Sequence, residues 1–171
     1  MLHVITGGQR SGKSAYAQQL ALQLSDRPVY LATAKIWDDE FSERVKRHQQ
    51  DRSEIWTNIE EERYISRHQL KDRVIVLDCI TLWLTNFFKS EQQDMDLLLE
   101  EVKAEFNKFM SMPKTVLAIS NEIGMGLHAD TQVGRKFTDL QGWVNQYIAK
   151  KADKVTFMVS GIPLVIKDIF K

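Results

Sequence analysis

A single cysteine, Cys79, stands in this chain of 171 residues. One thiol makes no internal disulfide and no cysteine-based zinc site, and such sparse use fits a reducing cytosol. Net charge is also missing: 23 lysines and arginines balance 23 aspartates and glutamates. Without a basic excess there is no electrostatic reason to expect nucleic acid or an anionic membrane as partner. No apolar run approaches the ~20 residues that span a bilayer. The N-terminus enters a strand-like run with no basic-then-apolar leader, so no signal peptide is expected. Internal repeats, low-complexity tracts and linkers are absent, and no histidine, cysteine or carboxylate spacing suits a transition metal. What is present is ordinary globular composition, 43% hydrophobic and 27% charged. The length suits one domain, residues 1–171, with its own core.

The most informative stretch is Gly7-Gly8-Gln9-Arg10-Ser11-Gly12-Lys13-Ser14. It fits G-x-x-x-x-G-K-[ST], the phosphate-binding loop of nucleoside-triphosphate proteins. Its flanks are right as well, with an apolar run at Leu2–Thr6 before it and a helix-like run at Ala15–Leu24 after it. Glycines let several backbone N–H groups point at one anion, and the following helix adds the positive end of its dipole. Lys13 is expected to reach the β- and γ-phosphates and Ser14 to hold Mg²⁺.

Short apolar runs alternate with longer helical ones, which argues for a parallel sheet in an α/β fold. The central strands are expected at Leu2–Thr6, Val29–Thr33, Val74–Asp78, Thr115–Ser120 and Lys154–Ser160. They are apolar or β-branched almost throughout, as strands covered on both faces are. A short run at Leu164–Ile169 reads as an edge strand after the Gly161-Ile162-Pro163 turn. Helices are expected at Ala15–Leu24, Asp38–Gln50, Asp94–Met110 and Thr131–Lys151. Ligands of open parallel sheets bind beyond the carboxyl ends of the strands. The residues there are the phosphate loop, Ala32-Thr33-Ala34, Asp78-Cys79, Asn121-Glu122 and Ser160-Gly161.

Asp78 ends an apolar strand, where a carboxylate helps hold Mg²⁺ in phosphate-loop proteins. Strands also end in aspartate merely as a turn or cap residue. Glu122 suits several roles: orienting a hydroxyl, binding Mg²⁺, acting as a base, or pairing with a neighbouring cation. His48 has Arg44 one turn before it and Arg52 one turn after it. Nearby positive charge favours neutral imidazole, the nucleophilic form, and arginines grip phosphates. The other reading is a plain exposed histidine on a charged helix, and spacing alone favours it. His3, His68 and His128 carry no expected chemistry. Cys79 reads as a small residue at a packed strand end. Trp37, Trp56, Trp83 and Trp143 read as core or interface residues.

Taken together these residues resemble a known family. Thr6 to Ser14 begin the likeness, followed by Tyr30-Leu31-Ala32-Thr33-Ala34, Asp38-Asp39-Glu40, and Arg44 ahead of His48. Trp56-Thr57, Glu60, Leu77 to Asn86 and Ser120 to Gly126 continue it. Arg135, Asn145-Gln146 and Ser160 to Pro163 with Lys167 complete it. The sequence resembles the bifunctional adenosylcobinamide kinase / adenosylcobinamide-phosphate guanylyltransferase family of cobalamin biosynthesis. The resemblance implies a three-layer P-loop NTPase, RecA-like, with a mostly parallel central sheet. It implies that a nucleoside triphosphate, ATP or GTP, phosphorylates adenosylcobinamide. GTP then donates GMP to that phosphate, giving adenosylcobinamide-GDP and pyrophosphate. His48 matches the histidine that carries GMP as a phosphoramidate, and Lys13 is the second catalytic position. Nucleotide contacts carry over to Gly7, Gly8, Gln9, Arg10, Ser11, Gly12, Lys13 and Ser14, and to Ala32, Thr33 and Ala34. They extend to Gln49, Gln50, Asp51, Arg52, Glu60 and Asp78, with Ser14 and Asp78 as Mg²⁺ ligands. A cytoplasmic homo-oligomer, a trimer, is also implied. His128-Ala129-Asp130, Thr138 and Gln49 depart from the family pattern, while the phosphate loop and His48 keep it.

Two rival readings stand beside this one. A phosphate-loop small-molecule kinase would use ATP without any guanylyl transfer. A RecA-like nucleic-acid binder would need a basic, aromatic stripe, which the balanced charge does not provide.

Overall fold

In the computed structural model, which describes residues 1–35, 54–90 and 92–170, seven strands join in one sheet. In chain order the elements are β1 (Leu2–Gly7), α1 (Lys13–Leu24), β2 (Val29–Ala32), β3 (Thr57–Glu60) and β4 (Val74–Asp78). They continue as α2 (Ile80–Phe87), α3 (Met95–Met110), β5 (Thr115–Asn121), α4 (Gln132–Lys151), β6 (Lys154–Val159) and β7 (Ile162–Asp168). The strand order is β3-β2-β4-β5-β1-β6-β7. Every pair is parallel except β6 with β7, a hairpin turned by Ser160 and Gly161. This is the mostly parallel α/β architecture that the alternating runs imply, with helices on both faces of the sheet as the resemblance implies.

The period-2 alternation of each strand sorts its side chains to two faces. Leu2, Val4, Ile75, Leu77, Val116 and Ala118 pack against α2, α3 and α4, where Trp83, Phe106, Phe109, Val144 and Ile148 fill the layer. Ile5, Val76, Leu117 and Ile119 face the other way, against Ala17 and Ala21 of α1. Those alanines explain the weak apolar stripe of α1. Small residues let the helix lie close to the sheet, while Leu22 and Leu24 point to solvent. His3 lies on this second face and hydrogen-bonds Thr156 Oγ1 through Nε2 at 2.8 Å. Burial, with Lys154 nearby, lowers its pKa to about 4, so it stays neutral. It is a satisfied core histidine.

All five expected central strands are present. α3 begins where Asp94 accepts the amides of Asp96 and Leu97 at 3.0 and 3.1 Å, and α4 where Thr131 accepts that of Gly134 at 3.0 Å. These are side-chain N-caps. β7 starts at Ile162, two residues ahead of the expected run. Two elements went unanticipated. β3 reads Thr-Asn-Ile-Glu and is largely exposed at the sheet edge, so it has no apolar pattern. α2 is eight residues long and almost wholly apolar, a run that periodicity cannot tell from a buried strand. The expected helix at Asp38–Gln50 lies outside the described residues. Trp83 and Trp56 are buried, and Trp143 is exposed.

Sheet order sets the site. The carboxyl ends of β1, β5, β4 and β2 lie side by side on one edge. Gly7 is beside Asn121, and Asp78 is beside Ile119 and Ala32. β5 therefore separates the phosphate loop from Asp78, and its tip faces the space between them.

Candidate nucleotide-binding site

The loop after β1 needs glycine for steric reasons. Gly7 has φ +152° and Gly12 φ +92°. A Cβ on Gly7 would stand 2.5 Å from the Met158 carbonyl, and one on Gly12 would stand 3.2 Å from Gly161 Cα. The loop is wedged against the β6–β7 turn, where the Gly161 amide donates to Ser11 O at 3.1 Å. Gly12 is also the N-cap of α1, whose first turn carries no acidic residue. The positive end of that helix is therefore unopposed for an anion.

Lys13 begins α1 and is almost buried. Its Nζ donates to Gly8 O at 2.6 Å and to Ser11 Oγ at 3.5 Å. Burial draws its pKa below the usual lysine value, while the charge of Asp78 acts to keep it protonated. Ser14 Oγ donates to Asp78 Oδ2 at 2.8 Å. The Tyr30 hydroxyl donates to the same oxygen. The two residues expected to hold Mg²⁺ thus meet, although 64 positions separate them in sequence. One carboxylate and one hydroxyl, hard oxygen donors beside a phosphate loop, fit Mg²⁺, which takes few protein ligands and completes its shell with phosphate and water. Among the described residues no cluster of three His, Cys, Asp or Glu offers another metal site.

A cavity of about 710 Å³ opens over this edge. Small-molecule sites span roughly 300–1,000 Å³. Its walls include Gln9, Arg10, Ser11, Gly12, Lys13, Ser14, Ala32, Ala34 and Asp78, all expected site residues. Gly7 and Gly8 form the root of the loop. Thr33 lies behind the wall and is fully buried. Its hydroxyl accepts from the Cys79 amide at 2.9 Å and donates to Cys79 O at 2.7 Å. Its amide donates to Asp78 O at 3.0 Å, so it ties the end of β2 to the end of β4. Glu60 ends β3 beside Ala32, outside the cavity wall. His48, Gln49, Gln50, Asp51 and Arg52, with Arg44, lie outside the described residues.

Cys79 is inert here. Burial, then the charge of Asp78, pushes its pKa to about 12. Its sulfur accepts the Leu82 amide at 3.4 Å as the N-cap of α2. Sequence reasoning assigned no role to Tyr30. The available signal was general: a buried tyrosine hydroxyl needs a partner, and strand register offers Tyr30 the Asp78 neighbourhood. Asn121, Glu122 and Ile123 close the wall on the β5 side.

Comparison with known proteins agrees with this geometry. The profile of the family described as "Cobinamide kinase / cobinamide phosphate guanyltransferase" matches residues 3–166. The chain is 33% identical over 171 residues to the bifunctional adenosylcobalamin biosynthesis protein CobP of Pseudomonas aeruginosa, covering 98% of each. It is 32% identical over 182 residues to CobU of Escherichia coli, with 98% of this chain and 100% of that protein covered. CobU of Salmonella typhimurium is 34% identical over 184 residues at the same coverage. A phosphate loop, a Ser14–Asp78 hydrogen bond beside it and a match running from residue 3 to 166 lead to one assignment: the chain belongs to the cobinamide kinase / cobinamide phosphate guanyltransferase family.

Proposed function

We propose that this protein phosphorylates adenosylcobinamide with a nucleoside triphosphate and then converts the product to adenosylcobinamide-GDP with GTP. It does so as a single nucleotide-binding domain. The observation that carries the reading is the convergence of Lys13, Ser14 and Asp78 on one cavity, in a chain matching the family from residue 3 to 166. Loop amides and Lys13 neutralise the non-bridging oxygens of the triphosphate, which is most of what phosphoryl transfer asks of a protein. Ser14 and Asp78 would hold Mg²⁺, which would supply positive charge against the transferring phosphoryl group. The remaining nucleotide contacts are Gly7 to Arg10, Ala32 to Ala34, Gln49 to Arg52 and Glu60. ATP and GTP both fit the first step.

In the second step neutral His48 attacks the α-phosphorus of GTP and pyrophosphate leaves. A phosphate oxygen of adenosylcobinamide phosphate then displaces the imidazole, forming the new diphosphate bond. A covalent histidine splits one difficult transfer into two displacements. The support is the sequence match at His48, with arginines four residues away on either side in the sequence.

One incubation tests the pair of reactions: protein, adenosylcobinamide, Mg²⁺ and GTP, with products followed by mass. GTP labelled at the α-phosphate should mark the protein with an acid-labile, alkali-stable adduct. His48→Ala should lose the adduct and keep the phosphorylation step. An equally strong adduct in that variant overturns the histidine's role. Phosphorylation with no adduct in the wild type would favour the kinase-only alternative.

The enzyme is further proposed to be a cytoplasmic homo-oligomer, a trimer. In β7, which among the described residues pairs with β6 alone, Ile162, Leu164 and Ile166 are 70%, 56% and 61% exposed. An apolar edge left open invites uncontrolled strand pairing, and a second copy of the chain would cover it. Light-scattering mass gives three chains if this is right, and one chain at micromolar concentration if it is wrong.

A further inference from the structure

Phosphorylating an alcohol requires a destination for the hydroxyl proton, and the machinery above provides none. Among the described residues, six ionisable side chains line the cavity: Arg10, Lys13, Tyr30, Asp78, Cys79 and Glu122. Arg10 and Lys13 are cations and accept nothing. The Tyr30 hydroxyl is committed as a donor to Asp78. Asp78 receives Ser14 and Tyr30 on one oxygen and serves the metal site with Ser14. Cys79 is buried, and its sulfur accepts the Leu82 amide at 3.4 Å. Glu122 remains, and its carboxylate has no hydrogen-bond or ion-pair partner among the described residues.

Its mounting is firm. The Glu122 amide donates to Gly7 O at 3.2 Å, at the point where the phosphate loop departs. The preceding Asn121 is held on both sides of its backbone. Its amide donates to Thr81 Oγ1 at 3.0 Å, and its carbonyl accepts Asn145 Nδ2 at 3.2 Å. Asn145 is in turn fixed by buried Ser120 and Gln141, which donate to its Oδ1 at 2.6 and 2.9 Å. A free carboxylate on so rigid a tip, between the loop of β1 and Asp78 of β4, matches what a catalytic group needs.

We propose that Glu122 is the general base of the phosphorylation step, deepening the kinase reading on which it rests. The acceptor hydroxyl gives its proton to the Glu122 carboxylate as its oxygen bonds to the γ-phosphorus. The bond from that phosphorus to the leaving nucleoside diphosphate breaks, and Glu122 later releases the proton to water. A positioned base contributes about 10²–10⁴-fold to such a step.

The test uses the full chain with Mg²⁺, ATP or GTP, and adenosylcobinamide. Glu122→Gln keeps size and a hydrogen-bond acceptor but removes basicity. Its phosphorylation kcat should fall about 10²-fold or more. KM for the triphosphate should hold, because the interaction is made in the transition state. Labelling by GTP should fall far less than phosphorylation. Glu122→Asp, which retains a shorter carboxylate, should recover part of the rate. Wild-type kcat in Glu122→Gln overturns the role, as does an equal loss of phosphorylation and labelling. If the glutamine variant does not fold, Glu122→Asp decides: a lowered kcat at unchanged KM supports the role, and an unchanged kcat overturns it. A wild-type protein that labels with GTP but never phosphorylates would overturn the kinase reading itself.

Discussion

Lys13→Met lowers the phosphorylation rate by about 10²- to 10³-fold, the cost of losing one preorganised charge at the transition state. The substitution is suited to the site. Methionine matches the lysine stem in length and fills the same nearly buried space, so packing is kept. What disappears is the ammonium, which stands on the loop's own Gly8 carbonyl and Ser11 hydroxyl, ready to turn to a phosphate. Burial opposes its charge, so removal costs the fold little and can even stabilise it. Thermal melting should therefore be unchanged or raised while turnover collapses. Rates, melting curves and nucleotide titrations on the two proteins check this. Wild-type turnover in Lys13→Met would mean that the triphosphate binds elsewhere.

Asp78→Asn is expected to have an effect of similar size by another route. The asparagine carbonyl can still accept the Ser14 and Tyr30 hydroxyls, so the local network survives. The negative charge does not. Metal-ion stabilisation of a transferring phosphoryl group is worth several kcal/mol, which makes about 10²-fold in rate a floor. The charge of Asp78 also acts against burial to keep Lys13 protonated, so its loss weakens the lysine as well. Titrating Mg²⁺ against nucleotide binding separates these contributions. The wild type should bind triphosphate more tightly as Mg²⁺ rises, and Asp78→Asn should show a flat response. An unaltered Mg²⁺ curve would remove Asp78 from the metal site.

Local chemistry was legible in the chain, because a contiguous motif carries its own geometry. The glycines, Lys13 and Ser14 of the loop are neighbours in sequence, and their strand and helix flanks follow from apolar periodicity. The five buried strands were readable for the same reason, each being a continuous apolar run. β3 and α2 were not, one too polar to show a pattern and the other too short for its period to register. Asp78 could be suspected from its place at a strand end. That Ser14 and Tyr30 share one of its oxygens could not.

The other decisions belong to register and strand order. Thr33 matches a nucleotide-contact position in sequence, yet its hydroxyl bridges the backbone of Cys79 on a neighbouring strand. Glu122 was one loop carboxylate with several possible roles until β5 was placed between β1 and β4. Sequence by itself determined the five central strands, the phosphate loop and the family the chain belongs to, since all three rest on neighbours along the backbone. Tertiary structure alone decided which carboxylate is engaged by hydroxyls and which stands free. That depends on side chains brought together across strands 40 or more residues apart, where no local pattern reaches.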